Sequence, residues 1–203
     1  MKKTVKEIRS ENIARGTWSG GTTAEYLSYP EGSTFEKRDF LFSICSATVD
    51  LEKSIFTDYT GYDRVILSLT EPYRLVHGDS EEYRLRPYQP HAFAGEMKTI
   101  SYGKYTDLNL VMDRKKCTGE MYTIQLMPQG EFYGSAGSGN DSLIMTAILC
   151  AEGGCTLFFG ETEYILKPRD MVAAERKLLK EAFFCKNNGT DPCRLVVCET
   201  RTK

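Results

Sequence analysis

Histidine is scarce in this sequence: His77 and His91 are the two among 203 residues. So small a number excludes centres that hold a divalent transition metal through three imidazoles of one chain. It also leaves no Ser-His-Asp arrangement to be argued from sequence. Long apolar runs are lacking: no stretch approaches the ~18 consecutive apolar residues that cross a bilayer. The opening MKKTVKEIRSENIARG has the positive residues of a signal peptide without its apolar stretch. Positive charge shows no excess either. A formal net charge of −2 argues against a nucleic-acid partner held by bulk electrostatics. A cytoplasmic protein is expected, with no membrane segment and no nucleic-acid partner. The seven cysteines, at 45, 117, 150, 155, 185, 193 and 198, are odd in number and include no CxxC spacing. Reduced, buried thiols are therefore expected rather than a structural zinc site, and no metal or cofactor is assigned.

What is present reads mostly as short strands. FLFSICSATV (40–49), RVILSL (64–69), YRLVH (73–77) and EYRLRP (82–87) are rich in β-branched and aromatic residues and are bounded by turn formers. MYTIQLM (121–127), LIMTAILC (143–150), CTLFFG (155–160), EYILKP (163–168) and RLVVCE (194–199) read the same way. In EYRLRP, Tyr83 and Leu85 fall on one face and Arg84 and Arg86 on the other, as in a half-buried strand. AERKLLKEAF (174–183) is the strongest helix candidate, although its apolar residues also suit a strand. EFYGSAGSGNDS (131–142) reads as an exposed connection.

An internal repeat organises these strands. LVHGDSEEYRLRPYQP (75–90) resembles LFFGETEYILKPRDM (157–171): strand, Gly turn, acidic residues, then Glu-Tyr-x-Leu-(Arg/Lys)-Pro. Tyr83 and Tyr164, Leu85 and Leu166, and Pro87 and Pro168 are each 81 positions apart. Two similar units follow, expected at 1–118 and 119–203. Even, short strands suggest a sandwich or barrel, and the repeated hairpin resembles that of cupin barrels. The expected fold is all-β, a bicupin of two RmlC-like jelly rolls. The second unit has no histidine. In the first, His77 and His91 are either ordinary strand and turn residues or a pair that recruits Glu82 or Glu96 to an ion.

TWSGGTTAE (17–25) contains the chain's single tryptophan and a glycine pair beside hydroxyl residues. It lacks the Lys of a Walker loop and the spacing of a dinucleotide fingerprint, so a phosphate loop is not expected. It resembles instead the opening of the HutD/Ves family of cupin-like proteins, through Trp18, Gly20, Gly21, Thr23 and Glu25. FLFSICSATV is similar to that family's next strand. SIFTDYTGYDRVILSL matches through Phe56, Thr57, Tyr59, Gly61, Asp63 and Arg64, PHAFAGE through Phe93 and Gly95, and YTDLNLVM through Asp107 and Asn109. Ser43 stands where many members have Arg, so Arg64 or Arg38 would have to supply a positive charge. The resemblance implies a metal-free bicupin linked to histidine utilisation, with a regulatory or ligand-binding role and no assigned catalysis.

The residues themselves place a candidate pocket in the first unit. Trp18 offers an apolar wall or core packing. Thr23 and Glu25 offer hydrogen bonds to a ligand or serve a turn and strand edge. Arg64 is an anion anchor unless Asp63 pairs with it. Asp107 and Asn109, two apart on a strand, share a face and read either a ligand or local backbone. Phe56 and Phe93 suit core or stacking roles, and His77 completes the ligand-binding set. The leading expectation is a small carboxylate-bearing metabolite as partner. A metal-independent isomerase or hydrolase using Glu25 or His77 as base is the alternative. A protein-interaction or self-association module without a small ligand, a homodimer included, is a third.

Overall fold

A computed structural model of the chain describes residues 5–134, 142–175 and 182–203. The chain divides into two compact units: residues 13–120 form one, and residues 121–202 together with 5–12 form the other. The expected start of the first unit at residue 1 is thereby corrected. Strand β1 (Val5–Ile8) pairs antiparallel with β17 (Met171–Glu175), Val5 opposite Ala174 and Ile8 opposite Met171.

In the first unit a six-stranded sheet runs β2 (Arg15–Trp18), β3 (Gly21–Tyr29), β4 (Phe42–Val49), β11 (Tyr105–Asp113), β6 (Tyr62–Ser68) and β9 (His91–Ala94). A four-stranded sheet runs β5 (Lys53–Ile55), β10 (Thr99–Tyr102), β7 (Tyr73–His77) and β8 (Glu81–Leu85). Val49, Ile66, Phe93 and Tyr105 from the first sheet meet Tyr73, Leu75 and Leu85 from the second in one core. Alternation explains this: in β7 the buried positions are Tyr73, Leu75 and His77. Removing that apolar area from water is what holds two sheets face to face.

The second unit repeats the plan. Its five-stranded sheet runs β1, β17, β14 (Leu143–Glu152), β19 (Cys193–Thr202) and β12 (Cys117–Leu126). Its four-stranded sheet runs β13 (Glu131–Gly134), β18 (Phe183–Lys186), β15 (Cys155–Phe159) and β16 (Thr162–Leu166). The repeated hairpin occupies the same place in both units. Leu75 lies opposite Tyr83 in β7–β8, and Leu157 lies opposite Tyr164 in β15–β16. Gly78 and Gly160 begin the two turns with φ of 58° and 59°, values that glycine adopts without a Cβ clash. The fold is all-β, a bicupin of two jelly-roll barrels.

Two expectations about local structure change. The connection read at 131–142 begins with strand β13, whose Phe132 packs on the core. The helix candidate at 174–183 ends in strands β17 and β18 on either side, and its centre lies outside the described residues. Among the described residues no helix is long and apolar enough to cross a membrane.

Candidate functional site

The opening stretch TWSGG is the β2–β3 turn. Trp18 pairs with Gly21 across it, and the Trp18 ring lies so close to Gly20 that a Cβ there would sit 2.2 Å from Cη2. Only glycine lets the indole fold over its own turn. The ring thereby reaches a cavity of about 270 Å³ in the first unit. Strands β3, β4, β6 and β11 supply the floor through alternate residues: Thr23, Cys45 and Ala47, Arg64, and Asp107 with Asn109. Phe56 and Tyr59, from the segment between β5 and β6, supply an aromatic side.

Arg64 is the charged centre of this cavity. Asp63 and Arg64 point to opposite faces of β6. Asp63 pairs with Arg114 at 2.7 Å, so the local Asp63–Arg64 ion pair does not form. Arg64 is 7% exposed and donates from Nη2 to Asn109 Oδ1 at 2.5 Å. Its guanidinium carbon stands 4.9 Å from the ring centre of Phe56, 5.2 Å from Phe93 and 5.5 Å from Tyr59, distances at which ring quadrupoles stabilise a cation. Arg64 forms no ion pair with a carboxylate among the described residues.

Asp107 is the second polar group. Its Oδ1 accepts from Ala47 N at 3.0 Å and from Asn109 Nδ2 at 2.5 Å. Burial pushes its carboxyl up to about 7, while Arg64 and the two hydrogen bonds oppose that rise. Burial likewise pushes the Cys45 thiol up to about 12, with the Asp107 charge adding to it. The cavity therefore places the Arg64 guanidinium beside an acid whose burial favours its neutral form. Two buried donors of lining residues, Arg64 Nε and Trp18 Nε1, have no hydrogen-bond partner among the described residues. Unpaired buried donors are costly.

Of the nine residues expected here, six line the cavity: Trp18, Thr23, Phe56, Arg64, Asp107 and Asn109. Thr23 also donates to Ser46 O at 3.2 Å. Phe93 lies beneath Arg64 as part of the core rather than in the lining. Glu25 does not line the cavity. It is exposed and accepts from Ser28 Oγ at 2.5 Å and from Phe35 N at 3.3 Å, which fixes the segment carrying the lining residue Phe35. Ser28 Oγ, whose one proton goes to Glu25, also lies 2.9 Å from Ser43 Oγ, which can donate to it. Arg38 stacks 4.5 Å from the Tyr59 ring centre.

His77 also lies outside the cavity lining. The two histidines do meet, Nε2 to Nε2 at 2.8 Å. Thr99 Oγ1 donates to Met97 O, so it accepts from His77 Nδ1 at 2.8 Å. His77 Nε2 then accepts from His91. Burial holds both imidazoles below their usual range; Arg64 adds to this at His77, and His77 adds to it at His91. Neither acid joins them: Glu82 pairs with Arg74 at 2.8 Å and Glu96 with Arg114 at 2.6 Å. His91 opens strand β9 and is not the turn residue expected after Pro90.

Phe35, Cys45 and Tyr59 were not anticipated as lining. Cys45 was recoverable from alternation with Ala47 in β4. Tyr59 stood inside a quoted motif, and Phe35 carries no sequence cue.

Two sandwich units built on one hairpin repeat, the first with a polar-floored cavity between strands, define the class: a cupin-like protein with two barrels. The HutD family model matches residues 10–189, and the chain belongs to that family. None of the curated proteins matches the chain. The chain is similar in structure to a conserved protein of unknown function from Pseudomonas aeruginosa PAO1, with TM-score 0.79 and 18% identity, covering 98% of this chain and 100% of that one. It is similar to HutD from Pseudomonas fluorescens SBW25, in a formate condition, with TM-score 0.74, 18% identity and coverage of 98% and 100%. A formate complex of oxalate decarboxylase from Lactobacillus farciminis shares the fold at TM-score 0.67 and 7% identity, covering 100% of this chain and 87% of that one.

Proposed function

We propose that the cavity of the first unit binds a small carboxylate-bearing metabolite, in a regulatory role within amino-acid utilisation, that of histidine in particular. One observation carries this reading. The cavity is lined by the Arg64 guanidinium, whose side-chain hydrogen bond goes to the neutral Asn109 and which forms no ion pair with a carboxylate among the described residues. A carboxylate brings one negative charge and acceptors only, which is what such a guanidinium binds best. Phe56 and Tyr59 would cover the apolar part of the ligand. The formate named for two of the similar structures is the smallest member of this ligand class. The histidine link rests on family membership. The seven cysteines are buried and outside any disulfide, which suits a cytoplasmic setting. The catalytic alternative finds no support in the geometry, because neither Glu25 nor His77 lines the cavity.

Thermal shift and calorimetric titration with formate, acetate, urocanate and formylated amino acids test the proposal. At least one carboxylate raises the melting temperature by mass action. Arg64→Gln weakens that ligand by about ten- to a hundredfold, the range for a lost hydrogen bond to a charged group. Trp18→Phe narrows the aromatic wall of the cavity and weakens the ligand by about tenfold or less. The absence of any response to carboxylates, or binding indifferent to both substitutions, sinks the reading.

A further inference from the structure

The second unit holds a group of side chains that the carboxylate cavity does not involve. Cys150, Cys155 and Cys193 bring their sulfur atoms within 4.8 Å of one another. Their sequence positions concealed this, because no two of them form a CxxC. Cys150 lies near the end of β14, Cys155 opens β15 and Cys193 opens β19. Two facing sheets thus deliver the three thiols to one point of the core, among Ile148, Leu157, Leu166 and Leu195. The β14–β15 turn holds them together. Gly153 has φ of 72°, and a Cβ on it would lie 2.8 Å from Pro192 O and 3.0 Å from Cys193 Cα. The turn between two of the cysteines is therefore pressed directly onto the third. Cys150 and Cys193 are fully buried and Cys155 is 5% exposed, so Cys155 marks the shortest way in.

A single buried cysteine is an ordinary small core residue. Three from separate strands with converging sulfurs make a donor set. Among the described residues the group contains no histidine and no carboxylate. Metal–thiolate bonds of about 2.3 Å, as to zinc, place three sulfurs around one ion about 4 Å apart, compatible with three sulfurs that all lie within 4.8 Å of one another. Structural zinc takes four ligands, whereas three soft sulfurs in an apolar, water-poor pocket suit a soft ion of low coordination number. Each coordinating thiol gives up its proton to solvent as its sulfur binds the ion, and no electron is transferred. We propose that Cys150, Cys155 and Cys193 form a three-sulfur site for a soft thiophilic ion, monovalent copper being the ion that its three soft donors fit.

The test uses the full chain, reduced and anaerobic, titrated with monovalent copper held by bicinchoninate in ascorbate. The expected result is transfer of one copper per chain, an ultraviolet sulfur-to-copper absorption and an X-ray absorption spectrum with sulfur neighbours alone. Cys155→Ser and Cys193→Ser each reduce transfer at least tenfold. Cys198→Ala, on the opposite face of β19, leaves it unchanged. Should the serine variants unfold, the wild-type spectrum and a copper-dependent rise in melting temperature decide the matter. No transfer from the chelator overturns the proposal. So does transfer indifferent to Cys155→Ser, stoichiometric zinc in place of copper, or a disulfide within the trio whose reduction restores no uptake.

Discussion

Arg64 and Asp107 share one cavity with opposite tendencies, the first fixed in its charge and the second titrating at about 7. That pairing gives carboxylate binding a definite pH dependence. Below pH 7 Asp107 is neutral, and Arg64 faces the ligand with its charge uncompensated. Above pH 7 Asp107 ionises, so a bound carboxylate meets a second negative charge or must take up a proton. Affinity is therefore expected to fall by up to about tenfold per pH unit above 7, the linkage limit for one proton. Calorimetry from pH 6 to 9 measures this, and Asp107→Asn flattens the profile. An affinity that rises with pH contradicts the assignment. These two residues were partly foreseeable. Asp107 and Asn109 share a face because they lie two apart on a strand, and Arg64 is freed because Asp63 turns to the other face, toward Arg114. Strand alternation supplies both facts. It does not supply the meeting of His77 with His91, which depends on strands from different sheets closing on each other. Nor does it supply Glu25's withdrawal to Ser28 and Phe35, which follows a β-bulge between Glu25 and Leu27.

Elements differ in how far local pattern specifies them. The hairpins β7–β8 and β15–β16 were readable, since alternation, a Gly turn and a terminating Pro all agree in each. Strands β13, β17 and β18 were not, because four or five residues of mixed pattern acquire their strand character from partners far along the chain. Strand β1 is the extreme case: VKEI has no preference strong enough to name its partner. Its place is secured by the turn that follows. Asp170, 2% exposed, accepts from Ser10 N at 2.9 Å, from Lys167 N at 3.1 Å and from Arg9 Nη1 at 2.7 Å. The Arg9 charge and these backbone donors hold its carboxyl below the usual range, against the effect of burial. Asp170→Ala leaves two backbone donors without their acceptor and takes one partner from Arg9, which keeps Glu7 and Ile165 O. It is expected to cost about 2–4 kcal/mol, read as a lower urea midpoint at pH 7. Arg9→Ala, removing a side chain that is 31% exposed, costs less. Equal effects from both would shift the weight from the backbone bonds to the ion pair.

At the scale of the whole molecule, the carboxylate cavity and the thiol trio belong to different units with different cores. Hydrogen exchange can therefore assign each ligand to its own strands. A bound carboxylate is expected to slow exchange in β3, β4, β6 and β11, which carry the cavity floor, because ligand binding suppresses local opening. Strands β14, β15 and β19 should remain unchanged. Protection confined to those three strands would move the metabolite site to the second barrel.

The pairing of Val5–Ile8 with residues 171–174 also sets a schedule for synthesis. The ribosome must add about 160 residues between those partners. At roughly 5–20 residues per second the leading segment waits some ten to thirty seconds. During that interval it is an unclaimed ribbon, and Lys6 and Glu7 give it the charges that discourage adhesion to passing chains.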